Sequence, residues 1–146
     1  MIFDAREHKV RNLIWIPLKH GDDLLNEITA FCQKNDSTSG FISVIGALQE
    51  AKLGYYNQKE KQYKEIVLNK PLEIASCAGN ISLKDNKPFL HSHIVLSDEQ
   101  GQTFGGHLNQ GCKVFAAECA LYHLEGNPLI RELDNTTGLH LWNFKK

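Results

Sequence analysis

The chain has 146 residues, 42% apolar and 23% charged, with 16 Lys and Arg against 17 Asp and Glu. These proportions exclude a largely disordered chain, and the length suits one domain that buries its own core. No apolar run reaches the roughly 18–20 residues of a membrane span, and a net charge of −1 speaks against binding nucleic acid through a basic surface.

Residues 1–10 read as a polar lead-in and 11–146 as a single domain. MIFDAREHKV carries early acids and lacks the apolar centre of an export signal, so a cytoplasmic protein is expected. Residues 12–18 (NLIWIPL) read as a strand, and Pro17 puts it at an edge or near its end. Residues 22–33 read as a helix. Asp22 and Asp23 stand where its N-terminus favours acids, and Leu24, Leu25, Ile28, Phe31 and Cys32 share one face. Lys34 suits the C-terminal end, and NDSTSG stops the helix. β pattern follows: 41–48 with Gly46 as a bulge, then 51–56, 63–68, 72–83, 89–96, 102–108, 113–124 and 139–144. Segment 113–124 has helical composition, yet its apolar residues fill both faces, as in a central strand. One helix and many strands define an α+β class, with the helix covering one sheet face. Cys32, Cys77, Cys112 and Cys119 form no C-x-x-C pair and sit in apolar stretches, so they read as reduced, buried thiols.

Seven histidines stand at positions 8, 20, 91, 93, 107, 123 and 140. His91 and His93 are two apart on a strand and share a face. SDEQG at 97–101 is a turn. A hairpin about residue 100 pairs residues whose numbers sum to about 200, which sets His93 opposite His107 on the same face. A one-residue slip would turn His107 away. Three neutral imidazoles suit zinc and leave its fourth position open. An ion so held can activate water or polarise a carbonyl. Gly105 and Gly106 fit a bulge or a close backbone approach.

Glu118, in an otherwise apolar strand, is the weaker candidate. It can orient a ligating imidazole or act as a base, or it can belong to an ion pair at a strand end or interface. Glu73 has the same two readings. Asn109 shares the face of His107 and can line a pocket. His123 and His140 read as structural or surface residues. No phosphate loop, dinucleotide fingerprint or nucleophile elbow occurs.

In order, GDDLLNEITAFC, FISVIGALQEAKLGYY, PLEIASCAGNISL, FLHSHIVLSDEQGQTFGGHL and an AEC strand with TTGLHLW resemble the prokaryotic PPC domain. That domain is shared by plants and prokaryotes and follows AT-hooks in plant nuclear proteins. The resemblance spans residues 10–144. It implies an α+β fold with a largely antiparallel sheet, similar to that of acetolactate decarboxylase. It also implies a homotrimer with a metal, zinc foremost, held by His91, His93 and His107. Prokaryotic members are commonly described as DNA-binding. This chain has no R-G-R-P core to read a minor groove, and direct DNA binding is not expected of it.

Two functions follow. One is a trimeric metalloprotein that binds or transforms a small carbonyl or carboxylate compound by lyase or hydrolase chemistry. The other is a trimeric module for DNA-bound or protein partners, without catalysis. The first needs a concave site with a carboxylate or arginine reaching in: Arg131 from the same chain, or Arg6 and Arg11 from a neighbour. The second needs a closed or flat one. The apolar edge strands NLIWIPL and LHLWNF make self-association reasonable.

Overall fold

Alternating apolar residues and short polar turns give this chain its strands. The structure, a computed structural model, describes residues 5–144. Along the chain run β1 (Lys9–Leu18), α1 (Leu24–Lys34), β2 (Gly40–Asn57), β3 (Gln62–Leu68), β4 (Leu72–Lys84), β5 (Lys87–Ser97), β6 (Thr103–Leu108), β7 (Lys113–Glu125), β8 (Arg131–Leu133) and β9 (His140–Trp142). The main sheet has the order β1-β7-β2-β4-β5-β6, with β3 on β2, and β8 and β9 form a separate hairpin. The strand pairings are antiparallel, which makes this an α+β protein with a largely antiparallel sheet.

Two boundaries that bear on the site differ from the sequence reading. The helix begins at Leu24 because Asp23 is its cap, accepting from the Asn26 N–H at 2.9 Å, while Asp22 is spent on the Lys19 N–H at 2.7 Å. Segments 41–48 and 51–56 are one strand, since Glu50 continues the ladder opposite Lys113. Gly46, at φ +135°, supplies the bulge, and a Cβ there would lie 2.3 Å from the Ala116 carbonyl oxygen. The length of β2 has a consequence: β6 returns to it at Leu53–Leu108 and Gly54–His107, so β2, β4, β5 and β6 close into a ring. Gly106 makes that closure possible, because a Cβ there would sit 2.8 Å from the Gly54 oxygen.

The core lies between α1 and one face of the sheet. Leu24, Ile28 and Cys32 are buried in one cluster with Ile42, Val44, Ile94, Leu96, Cys119 and Leu121. Each fully buried Leu or Ile contributes about 1.5–3 kcal/mol. All four cysteines are free and buried. Burial pushes Cys32, Cys77 and Cys119 up to about 12 and Cys112 up to about 11. The other face is open along β1, β7 and β2, while the β8–β9 hairpin covers its β4 end, where Arg131 reaches Ser82 and Asn80. Cross-strand neighbours run along it in two rows, Leu13–Tyr122–Phe41–Asn80–His91 and Trp15–Ala120–Ser43–Ala78–His93–His107. No helix among the described residues is long and apolar enough to cross a membrane.

Candidate metal centre

The β5–β6 turn sets the site. Asp98 Oδ1 accepts the N–H groups of Gln100 and Gln102 at 3.0 and 2.9 Å, and Oδ2 accepts Lys70 Nζ at 2.6 Å. Gly101 takes the left-handed position at φ +74°. The hairpin therefore pairs Ser97 with Thr103 and His93 with His107, the register expected from the sequence. His91 and His93 come from β5 and His107 from β6. Their ligating atoms lie within 4.8 Å of one another. Ring centroids are 5.0 Å apart for His91 and His107, 5.3 Å for His91 and His93, and 5.6 Å for His93 and His107.

The rings are prepared to ligate. Burial first, then Arg131 and the other two imidazoles, lowers His91 to about 4. Burial, His93 and Arg131 lower His107 as well. At neutral pH both rings are uncharged and keep a free lone pair. Nδ1 of His107 is buried with no hydrogen-bond partner among the described residues. A buried polar atom left unanswered is costly unless something else occupies its lone pair. A borderline divalent cation matches three such donors.

A cavity of about 290 Å³ opens beside His91 and His107. Tyr56, Tyr63 and Phe89 form aromatic walls, and Lys61, Lys84, Arg131 and His140 add polar groups. The tip of β8 delivers Arg131, whose strand is tied to the sheet by the Leu83–Ile130 bridge. Its guanidinium donates from Nε to Ser82 Oγ at 2.8 Å and from Nη1 to the His140 carbonyl at 3.0 Å. Nη2 donates to Asn80 Oδ1 at 2.8 Å and faces His91 Nδ1 at 3.3 Å. The rings of Phe89 and Trp142 lie 5.6 and 5.5 Å from it.

Within one chain Glu118 lies away from the three histidines. It is exposed on β7 opposite Pro17 and Ile45, with β2 and β4 between its strand and β5. Glu73 is exposed opposite Ser97. Asn109 lies over Gly54 and lines a second recess with His107. His140 belongs to the cavity wall rather than to the bare surface. His123 sits in β7 opposite Asn12 and Gly40. Arg6 reaches the Pro128 carbonyl at 3.4 Å, and Arg11 is exposed. Asn80, Ser82 and Tyr63 carried no sequence signal; Asn80 follows only from the pairing that sets it opposite His91.

The fold and the cluster define a small α+β protein with a tri-histidine site on the open face of its sheet. The chain belongs to the Plants and Prokaryotes Conserved domain family, whose model matches residues 5–125. A metal-containing protein of Archaeoglobus fulgidus is 40% identical with a TM-score of 0.91, covering 95% of this chain and 98% of that one. A plant- and prokaryote-conserved protein of Pyrococcus horikoshii is 37% identical with a TM-score of 0.90, covering 98% and 97%. A candidate DNA-binding protein of Bacteroides thetaiotaomicron is 26% identical with a TM-score of 0.87, covering 96% and 98%. The bifunctional protein GlmU of a Synechococcus strain is 32% identical over 120 residues, 81% of this chain, but the chain spans only 18% of its length.

Proposed function

We propose that His91, His93 and His107 hold a divalent cation, zinc by preference, in a homotrimer, and that the adjoining cavity binds or transforms a small carbonyl or carboxylate compound. The convergence of three imidazoles, with His107 Nδ1 buried and unanswered, carries this reading. The likeness to a relative described as metal-containing supports it. When bound, the ion supplies a Lewis acid with a coordination position left open by three protein ligands. The protein's own groups do the rest. The aromatic walls offer apolar surface, Arg131 offers fixed positive charge, and the Tyr63 hydroxyl, on a ring 5.2 Å from that of His107, can hand over a proton.

Trimerisation is supported by the part of the sheet face left open on β1, β7 and β2. Leu13, Trp15, Phe41, Ile45 and Tyr122 are exposed there, Trp15 by 69%. An apolar patch of this kind needs a partner, and copies of the same chain are the simplest. The number three rests on the family resemblance. A non-catalytic module for DNA or protein partners has the Bacteroides relative's name in its favour, and the net charge of −1 against it. A panel of small hydroxy- and oxo-carboxylates, incubated with the zinc-loaded protein and followed by NMR, separates the two. Turnover lost in His91→Ala supports the enzyme. No turnover together with micromolar DNA affinity at moderate salt supports the module.

A further inference from the structure

The cavity's charged side chains are Lys61, Lys84 and Arg131, with no Asp or Glu in its lining. Arg131 is the buried one, 8% exposed, and no carboxylate pairs with it among the described residues. A guanidinium is rarely buried without a counter-charge. Its partners, Ser82, Asn80, the His140 carbonyl and His91, are all neutral and answer four of its N–H bonds. A guanidinium has about five such bonds, so one is spare.

Metal loading would free another. A neutral imidazole has one N–H and one ring lone pair. Nδ1 of His91 accepts from Arg131, so its proton resides on Nε2. Once a cation takes either nitrogen, Nδ1 is either the ligand or the protonated atom. In both cases Arg131 loses that acceptor. A dication would then stand beside a buried guanidinium with two unanswered N–H bonds, and one anion relieves both. The rings of Phe89 and Trp142 lie over the guanidinium and leave its N–H edge for a planar acceptor. The aromatic walls suit an organic body of a few carbons rather than bare phosphate.

We infer that the cavity takes a small carboxylate held by Arg131, and that carboxylate and metal reinforce each other's binding. This rests on the metal reading above and narrows its ligand to an anion. Zinc affinity, measured by competition with a chelating dye, tests it in the presence and absence of propionate, which binds free zinc only weakly. Saturating propionate should tighten zinc binding by about tenfold or more, as site-to-site coupling typically does. Arg131→Gln should keep zinc and lose the propionate effect, and Arg131→Lys should restore part of it. Because Arg131 is buried, a second readout uses the wild-type protein: its guanidinium NMR signals should shift at about tenfold lower propionate when zinc is bound than when it is absent. Unchanged zinc affinity with propionate overturns the inference and leaves the metal site standing. Phosphate acting where propionate does not, or a propionate effect that survives Arg131→Gln, also overturns it. No zinc bound under either condition removes the metal reading, and this inference with it.

Discussion

His107 differs from its two companions in having a ring nitrogen that is buried and without a partner. His93 is exposed and lies directly across the ladder from it. Replacing any one of the three with Ala should weaken zinc retention on the order of 100-fold or more, beyond what loss of an outer contact costs. Dye competition would read this directly. Gly79 acts at the same scale without touching an ion. A Cβ there would lie 2.4 Å from the His91 carbonyl oxygen and 2.4 Å from Ser92 Cβ. Gly79→Ala should therefore lower stability by about 1–3 kcal/mol, seen as a reduced urea midpoint, by forcing β4 and β5 apart. The histidine pair was legible in the sequence because strand periodicity alone puts i and i+2 together. Arg131 was legible only as an available arginine. Its partners Asn80, Ser82 and the His140 carbonyl lie 9 to 51 residues away, and no local pattern links them.

Among the elements, the β5–β6 hairpin matters most. Its register could be read in advance because a short polar turn with one left-handed glycine leaves few ways to pair. The three-residue β8 gives no sequence signal, since periodicity needs a longer run, and the division of β2 at 49–50 falls where its pairing with β7 shifts register between Leu48 and Glu50. Asp98 holds the hairpin turn, and its carboxylate is kept below its ordinary 3.8 by the Lys70 hydrogen bond foremost. The unfolded chain thus takes up this proton first, and the stabilisation, full above about pH 3.8, is lost as pH falls below it. Asp98→Ala should flatten that acid limb in urea titrations and weaken zinc binding by loosening the register of His107. An acid limb identical to wild type would remove Asp98 from this role. Asp23 has a comparable duty at α1, accepting from Asn26 and, through its other oxygen, from the Gly111 N–H at 2.6 Å. Asp23→Ala should cost about 1–2 kcal/mol by thermal melting.

On the scale of the whole molecule, the two sheet faces have different work. One buries a core with α1, and the other carries both the apolar patch and the histidines along the same cross-strand rows. The proposed assembly and the site therefore share a surface. Trp15→Glu should shift the proposed trimer to smaller species in sedimentation. The buried thiols give the core its own signature. The unfolded chain ionises them near 9.0 while the folded chain keeps three protonated to about 12, so stability falls as pH rises through that interval. Thiol reagents near pH 8 should modify none of the four until the protein unfolds. The family and the α+β class were both within reach of the sequence, because ordered motif blocks and strand patterning pointed to one answer. The buried surroundings of Arg131 were not, since they depend on a hairpin folding back over β4. The central claim is that three imidazoles share one cation, and elemental analysis of the purified protein beside the His91→Ala, His93→Ala, His107→Ala triple variant tests it most directly. About one zinc per chain in the wild type and none in the variant is the predicted result, whereas equal metal content in the two would contradict it.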